Sequence, residues 1–85
     1  MAATRADIAG WLDRMYDSND ITNVVVVCDT FDYDDYPIFV HEGDDLFQII
    51  RDHDGPNMQQ VMEVYSRRYD KIEQLAQPHV MNYDR

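Results

Sequence analysis

Cysteine, glycine and basic residues are all scarce in this chain of 85 residues. The single cysteine, Cys28, excludes an intrachain disulfide and a zinc site built from several cysteines. The three glycines lie at positions 10, 43 and 55, too far apart in the chain to form a phosphate-binding loop. Cys28 ends an apolar run, and we expect its thiol to be buried and unreactive.

Long apolar runs are also missing. No stretch approaches the roughly 18 consecutive apolar residues of a membrane span, and the first seven residues lack the apolar segment of a signal peptide. We therefore expect a cytoplasmic protein. Apolar residues make up 45% of the chain, which is enough for a packed core. The length fits residues 1–85 as a single acidic α+β domain, with a homodimer left open as an alternative.

Positive charge is the strongest deficit. Lysine and arginine number 7 against 17 aspartate and glutamate residues, for a formal net charge of −10. The excess lies in residues 29–54, where Arg51 is the only basic residue among nine acidic ones. We expect the folded domain to carry one negative face and one nearly neutral face. Direct binding of nucleic acid by the negative face is disfavoured, because phosphates would be repelled.

Apolar spacing predicts a helix followed by a β-hairpin in the first half of the chain. The helix covers about residues 5–17, with Thr4 as its N-cap and Asp7 completing a capping box. The β-branched run from Val24 to Cys28 is typical of a strand covered on both faces. A second, antiparallel strand is predicted to open at Pro37.

Two further helices are predicted in the second half. One begins near Asp44 or Asp45 and ends before Gly55. The other starts after Asn57 and presents an apolar stripe that extends through Ile72 to residue 76; the stripe comprises Met58, Val61, Met62, Tyr65 and Tyr69. Residues 80–83 are read as a short strand or an unstructured end.

Catalytic and metal-binding motifs are not found. The three histidines lack the spacing of metal ligands, and His53 on a helical apolar stripe is better explained as packed and hydrogen-bonded. We expect no enzyme activity and no cofactor. The alternative is a small metal-dependent hydrolase that uses the aspartates at positions 32, 34 and 35.

Aromatic and acidic residues interleave between the two predicted strands. Tyrosine and phenylalanine supply flat contact area at protein interfaces, and carboxylates suit an arginine-rich partner surface. A competing interpretation is that Phe31 and Tyr36 fill the core while the aspartates keep the loop soluble. The partner-binding residues predicted from this segment and the turn after the second strand are Asp29, Phe31, Asp32, Tyr33, Asp34, Asp35, Tyr36, Glu42, Asp44 and Asp45.

The residues 25–40 and 57–65 resemble small proteins, mostly of unknown function, from bacteriophages and bacterial mobile elements. In size and acidity the chain is also similar to anti-CRISPR proteins, which share no common motif. These resemblances imply an inhibitor that binds a basic nucleic-acid-binding surface of a host protein, such as a CRISPR effector, by mimicking nucleic acid. The alternative from another class is a self-associating structural or regulatory phage protein.

Overall fold

The computed structural model describes residues 3–83 and shows an α+β fold with helices on both faces of one sheet. The helices are α1 (Arg5–Asp17), α2 (Leu46–His53) and α3 (Lys71–Ala76). The strands are β1 (Ile21–Asp29), β2 (Asp34–His41) and β3 (Gln59–Ser66). They form an antiparallel sheet in the order β2-β1-β3, so β1 lies in the middle.

The helix α1 has the bounds that the sequence predicts. The Thr4 hydroxyl accepts a hydrogen bond from the Asp7 N–H, and the Asp7 carboxylate accepts one from the Thr4 N–H. This reciprocal pair satisfies two of the donors that a helix N-terminus leaves open. The predicted stripe packs on the sheet, with Ile8, Leu12 and Met15 buried.

The central strand β1 is buried on both faces, as predicted. Val24 and Val26 pack in the cluster that contains the buried side of α1, whereas Val25 and Val27 pack with the apolar residues of α2. Alternation along a strand produces this division, because successive side chains point to opposite faces of the sheet. The uninterrupted valine run is thus explained by helices on both sides.

The strand β2 begins at Asp34, three residues before the proline at which it was predicted to open. Pro37 lies inside the strand and opposite Val26. Proline is tolerated there because β2 is an edge strand, so an N–H that faces away from β1 is not needed by the sheet.

Residues 59–66 form the strand β3, and the predicted third helix over this segment is wrong. Val61 and Val64 are three residues apart, a spacing that fits a helix, yet both pack on the α2 side of the sheet. A β-bulge at Met62 explains this: Val27 pairs with Val61 and Val26 with Glu63, so one extra residue enters the strand between them.

The helix α3 is short and begins only at Lys71, after the N-cap Asp70. Ile72, which the longer helix would have placed on its apolar stripe, is 76% exposed. The buried residue of α3 is instead Gln74, whose side chain accepts a hydrogen bond from the Ser66 N–H and donates one to the Ser66 carbonyl, both at 2.9 Å. Gln74 thereby satisfies the backbone at the end of β3.

The segment after α3 returns to the sheet and covers the outer edge of β3. The Val64 N–H donates to the Val80 carbonyl, and the Asn82 N–H donates to the Val64 carbonyl, each at 2.8 Å. The two bonds make a parallel bridge between Val64 and Met81, and Val80 is fully buried. Of the two outcomes left open for residues 80–83, the structure therefore shows a strand-like segment.

No helix among the described residues combines the length and the apolar composition required to cross a membrane.

Candidate functional site

The connection between β1 and β2 folds as a tight turn that depends on its aspartates. The Asp29 carboxylate accepts the Phe31 N–H at 2.9 Å, and the Asp29 carbonyl accepts the Tyr33 N–H at 2.6 Å. The Asp32 carboxylate accepts the Asp34 N–H at 3.2 Å. Short acidic side chains favour turns because they bond to backbone donors two residues later. These aspartates consequently shape the loop as well as charge it.

The same turn is anchored to the residue that precedes β3. Both the N–H and the hydroxyl of Thr30 donate to the Met58 carbonyl at 2.7 Å. Gln59 pairs with Asp29, so the start of β3 lies at the same end of the sheet as the turn. We refer to residues 29–34 together with Met58 as the acidic tip.

Three apolar side chains of the acidic tip face solvent. Phe31 is 73% exposed, Tyr33 68% and Met58 55%. Large apolar side chains are usually covered in small domains, and a cluster of exposed ones indicates an interaction surface. The alternative in which Phe31 fills the core is therefore wrong.

Backbone strain also concentrates at the acidic tip. Among residues 3–83, the non-glycine residues with positive φ are Tyr33 (60°), Asn57 (56°) and Met58 (60°). Residues other than glycine rarely adopt this left-handed conformation, and each instance costs on the order of 1 kcal/mol. Two of the three are acidic-tip residues, and the third, Asn57, adjoins Met58. The backbone thus holds the exposed side chains in a defined, unfavourable geometry.

Tyr36 and Asp35, which were also predicted to bind a partner, make contacts within the fold. Tyr36 is half-buried against the α2 side of the sheet, and its hydroxyl accepts a hydrogen bond from the Gln59 side chain. Burial raises the pKa of Tyr36, and the nearby Asp29 charge raises it further. Asp35 is half-buried and accepts the Ala3 N–H at 3.0 Å.

Cys28 lies beside Asp35 and is buried. Burial raises the pKa of the Cys28 thiol; its hydrogen bond to Asp35 and the negative charges of Asp35, Asp29 and Asp32 raise it too. The structure therefore agrees with the expected buried thiol.

The remaining predicted site residues lie at the far end of the sheet. Glu42, Asp44 and Asp45 follow β2, whose eight residues separate them from the acidic tip by roughly 25 Å at about 3.3 Å per residue. Asp44 accepts the His41 N–H at 3.0 Å, and Asp45 caps α2 by accepting the Gln48 N–H at 3.1 Å. The acidic residues that were predicted to share one face thus form two separate groups, with Asp29 to Tyr36 at one end and these three at the other.

Several basic side chains are engaged away from the acidic tip. The Arg5 guanidinium donates to the Tyr65 hydroxyl at 3.3 Å and to the Gln77 carbonyl at 3.0 Å. Lys71 pairs with Asp13. The Arg14 guanidinium carbon lies 4.5 Å from the centre of the Phe39 ring. These interactions are made on the α1 side of the sheet, so these three cations do not neutralise the acidic tip.

Within the described part of the chain, no group of three or more histidine, cysteine, aspartate or glutamate residues is arranged to hold a metal ion. The predicted role of His53 is confirmed, since its Nδ1 lies 2.7 Å from the Ile49 carbonyl. His41 shows a different environment: its Nδ1 is shielded from solvent and lies 3.6 Å from an Asp20 carboxylate oxygen.

Comparison of the chain with protein-family models, with curated proteins and with solved structures finds no match.

Proposed function

We propose that this protein is a phage-type inhibitor, of the anti-CRISPR kind, that binds through its acidic tip to a basic nucleic-acid-binding surface of a host defence protein. The observation that supports this most directly is the pair of exposed rings, Phe31 and Tyr33, which alternate along the turn with Asp29, Asp32 and Asp34. Two exposed rings in a strained turn destabilise an isolated domain. A partner that covers them accounts for their retention.

The chemistry of the acidic tip suits arginine better than lysine. A guanidinium group binds a carboxylate through two parallel hydrogen bonds and also stacks on an aromatic ring. Phe31 offers such a ring within two residues of the Asp29 carboxylate, and Tyr33 is next to Asp32. Nucleic-acid-binding channels are lined with arginine and lysine, because they must neutralise phosphates.

Mimicry of nucleic acid is proposed here for the acidic tip alone. Carboxylates alternate with flat rings along residues 29–34, as phosphates accompany bases in an unpaired strand. Glu42, Asp44 and Asp45 lie at the other end of the sheet, and the carboxylates of Asp44 and Asp45 accept hydrogen bonds in a turn and at a helix cap. Their charge would instead contribute to long-range attraction toward a basic partner.

Self-association through strand edges is the alternative function, and the sheet offers it little support. Residues 80–82 cover the outer edge of β3. The other edge, β2, carries Pro37 in its interior, which removes one of the N–H groups that a further strand would bind. A purely structural role would require a stable oligomer in sedimentation experiments.

A competition experiment tests the proposal. Fluorescence anisotropy would follow labelled target DNA as it binds to each of a panel of guide-RNA-loaded CRISPR effectors, with and without the protein. We expect the protein to displace DNA from at least one effector. The double variant D32N/D34N should lose about 30-fold or more in inhibition, because losing the two charge pairs together costs at least about 2 kcal/mol when the partner stays buried.

The chain supplies a matched control. The double variant E42Q/D45N removes the same number of charges at the far end, and asparagine at position 45 still caps α2. We expect it to inhibit within about threefold of the wild type, since exposed charges outside a contact act mainly through screened long-range attraction. Equal losses in the two variants, or inhibition of no effector in the panel, would contradict the proposal.

A further inference from the structure

A cleft of about 330 Å³ opens at the far end of the sheet, between the start of β1, the end of β3 and the start of α2. Its volume is at the lower limit for sites that bind small organic molecules, which are commonly about 300–1,000 Å³. Its floor is mainly apolar, with a small number of polar groups. The lining residues are Thr22, Asn23, Leu46, Ser66, Arg67 and Arg68.

The polar walls of the cleft are fixed by hydrogen bonds to the sheet. Asn23 and Ser66 are both more than nine-tenths buried. The Asn23 amide donates to the Tyr65 carbonyl at 3.1 Å, and the Ser66 hydroxyl accepts the Arg68 N–H at 3.2 Å. The Arg67 N–H donates to the Thr22 carbonyl at 3.0 Å. The backbone and the two polar side chains that line the cleft are therefore held in place without a ligand.

This cleft is lined by positive charge, whereas the molecule as a whole is negative. Two of the seven basic residues of the chain, Arg67 and Arg68, are consecutive and line it. An anion would be repelled by most of a chain that carries −10, so these arginines mark the favourable place for one. The N-terminus of α2 adds little to this, because the Asp45 side chain already caps it.

The surroundings also limit the charge of the ligand. Asp45 directly precedes the cleft residue Leu46. At the same end of the sheet, the Glu42 N–H donates a hydrogen bond of 2.8 Å to the Asp20 carbonyl. These acidic residues adjoin the lining in sequence or through the main chain, so they repel a dianion such as phosphate more strongly than a monoanion. The apolar floor requires an apolar body on the ligand.

We propose that this cleft binds a small organic monocarboxylate with an apolar body. The carboxylate is held by Arg67 through paired N–H donors, and the body packs on Leu46. This site is separate from the acidic tip and does not depend on the function proposed for it.

Nuclear magnetic resonance titration tests the site in the 85-residue chain. The probe is benzoate, added to ¹⁵N-labelled protein, with benzamide and inorganic phosphate as the uncharged and dianionic comparisons. We expect saturable shifts of the Thr22, Leu46 and Ser66 amide signals at about millimolar benzoate, the affinity typical of a small fragment. Benzamide and phosphate should produce shifts at least about tenfold weaker, in line with the loss of a charge-assisted pair.

Three arginine variants distinguish this site from general anion binding. The double variant R67Q/R68Q should weaken benzoate binding about tenfold or more. The double variant R67K/R68K should retain part of the binding, because it keeps the two positive charges. R51Q is the control, because Arg51 lines a different apolar cleft with Phe47, Ile50 and Tyr83. Well-dispersed spectra of each variant would show that it is folded.

Four results would overturn the site: no saturable shift, equal shifts with benzamide, unchanged binding in R67Q/R68Q, or shifts centred on Phe47 and Tyr83. The variant D32N/D34N should bind benzoate as the wild type does, so failure at the acidic tip and failure at this cleft give different results.

Discussion

Asp29 and Asp32 each accept a backbone N–H within the turn and still present carboxylate oxygen to solvent. The sequence predicted that both aspartates are charged and exposed. It did not predict that they accept hydrogen bonds within the turn, because those bonds depend on the turn geometry. Asparagine keeps the acceptor oxygen and removes only the charge, so it separates the two roles. Composition alone did not separate Phe31 from Tyr36. Phe31 is exposed because it lies in the turn, whereas Tyr36 lies in β2 and packs on the α2 side of the sheet.

A residue-scale prediction concerns the Cys28 thiol. We expect it to react with a disulfide reagent at about pH 8 at least tenfold more slowly in the native protein than in denaturant, because burial and nearby carboxylates raise its pKa and leave less thiolate. D35N should accelerate the native reaction more than D32N does, since Asp35 is the carboxylate that bonds to the thiol. The measurement is the rate of thiol release by absorbance. A native rate equal to the denatured rate would show that Cys28 is accessible.

At the scale of elements, local signals predicted α1 and α2, whereas β3 required information from elsewhere in the chain. The capping box of α1 and the Asp45 cap of α2 are contained within a few residues. The spacing of Val61 and Val64 fits a helix equally well, and only the bulge at Met62 reconciles it with a strand. The decisive fact is that β1 is central and needs a partner on each edge, which no window around residue 60 contains.

An element-scale prediction tests the segment that covers β3. V80A should lower the free energy of unfolding by about 2 kcal/mol, because Val80 is fully buried and its loss leaves a small cavity. M81A, one residue further along, should cost less than about 1 kcal/mol, because Met81 is 40% exposed. Urea denaturation of both variants measures the difference. Equal effects would mean that residues 80–82 do not pack as a strand.

At the scale of the whole molecule, the negative charge is divided between two ends of the sheet rather than gathered on one face. Composition located the excess correctly in residues 29–54, but that segment contains all of β2, which carries the chain from one end to the other. Neighbours in sequence are therefore distant in space. The same reversal brings Thr22 and Arg67, which are 45 positions apart, to one cleft.

A whole-molecule prediction follows from the charge imbalance. Raising NaCl from about 0.01 M to about 0.15 M shortens the Debye length from about 30 Å to about 8 Å, so repulsion among the carboxylates is screened. The ion pair of Lys71 with Asp13 is solvent-exposed and has little attraction to lose. We expect the melting temperature to rise by roughly 4–8 °C, or about 1 kcal/mol. A smaller rise is expected for D32N/D34N, and a fall in the wild type would show that attraction dominates.

The rigid sheet that separates the acidic tip from the arginine cleft also provides a place to attach a tether or a dye away from the tip. An attachment point near Arg68 lies roughly 25 Å from Phe31 at the spacing of β-strands, beyond the footprint of a contact made by the tip. Copies tethered to a sensor chip at that position would all present their rings outward in the same orientation. A dye placed there would report tumbling of the bound complex without touching the bound partner.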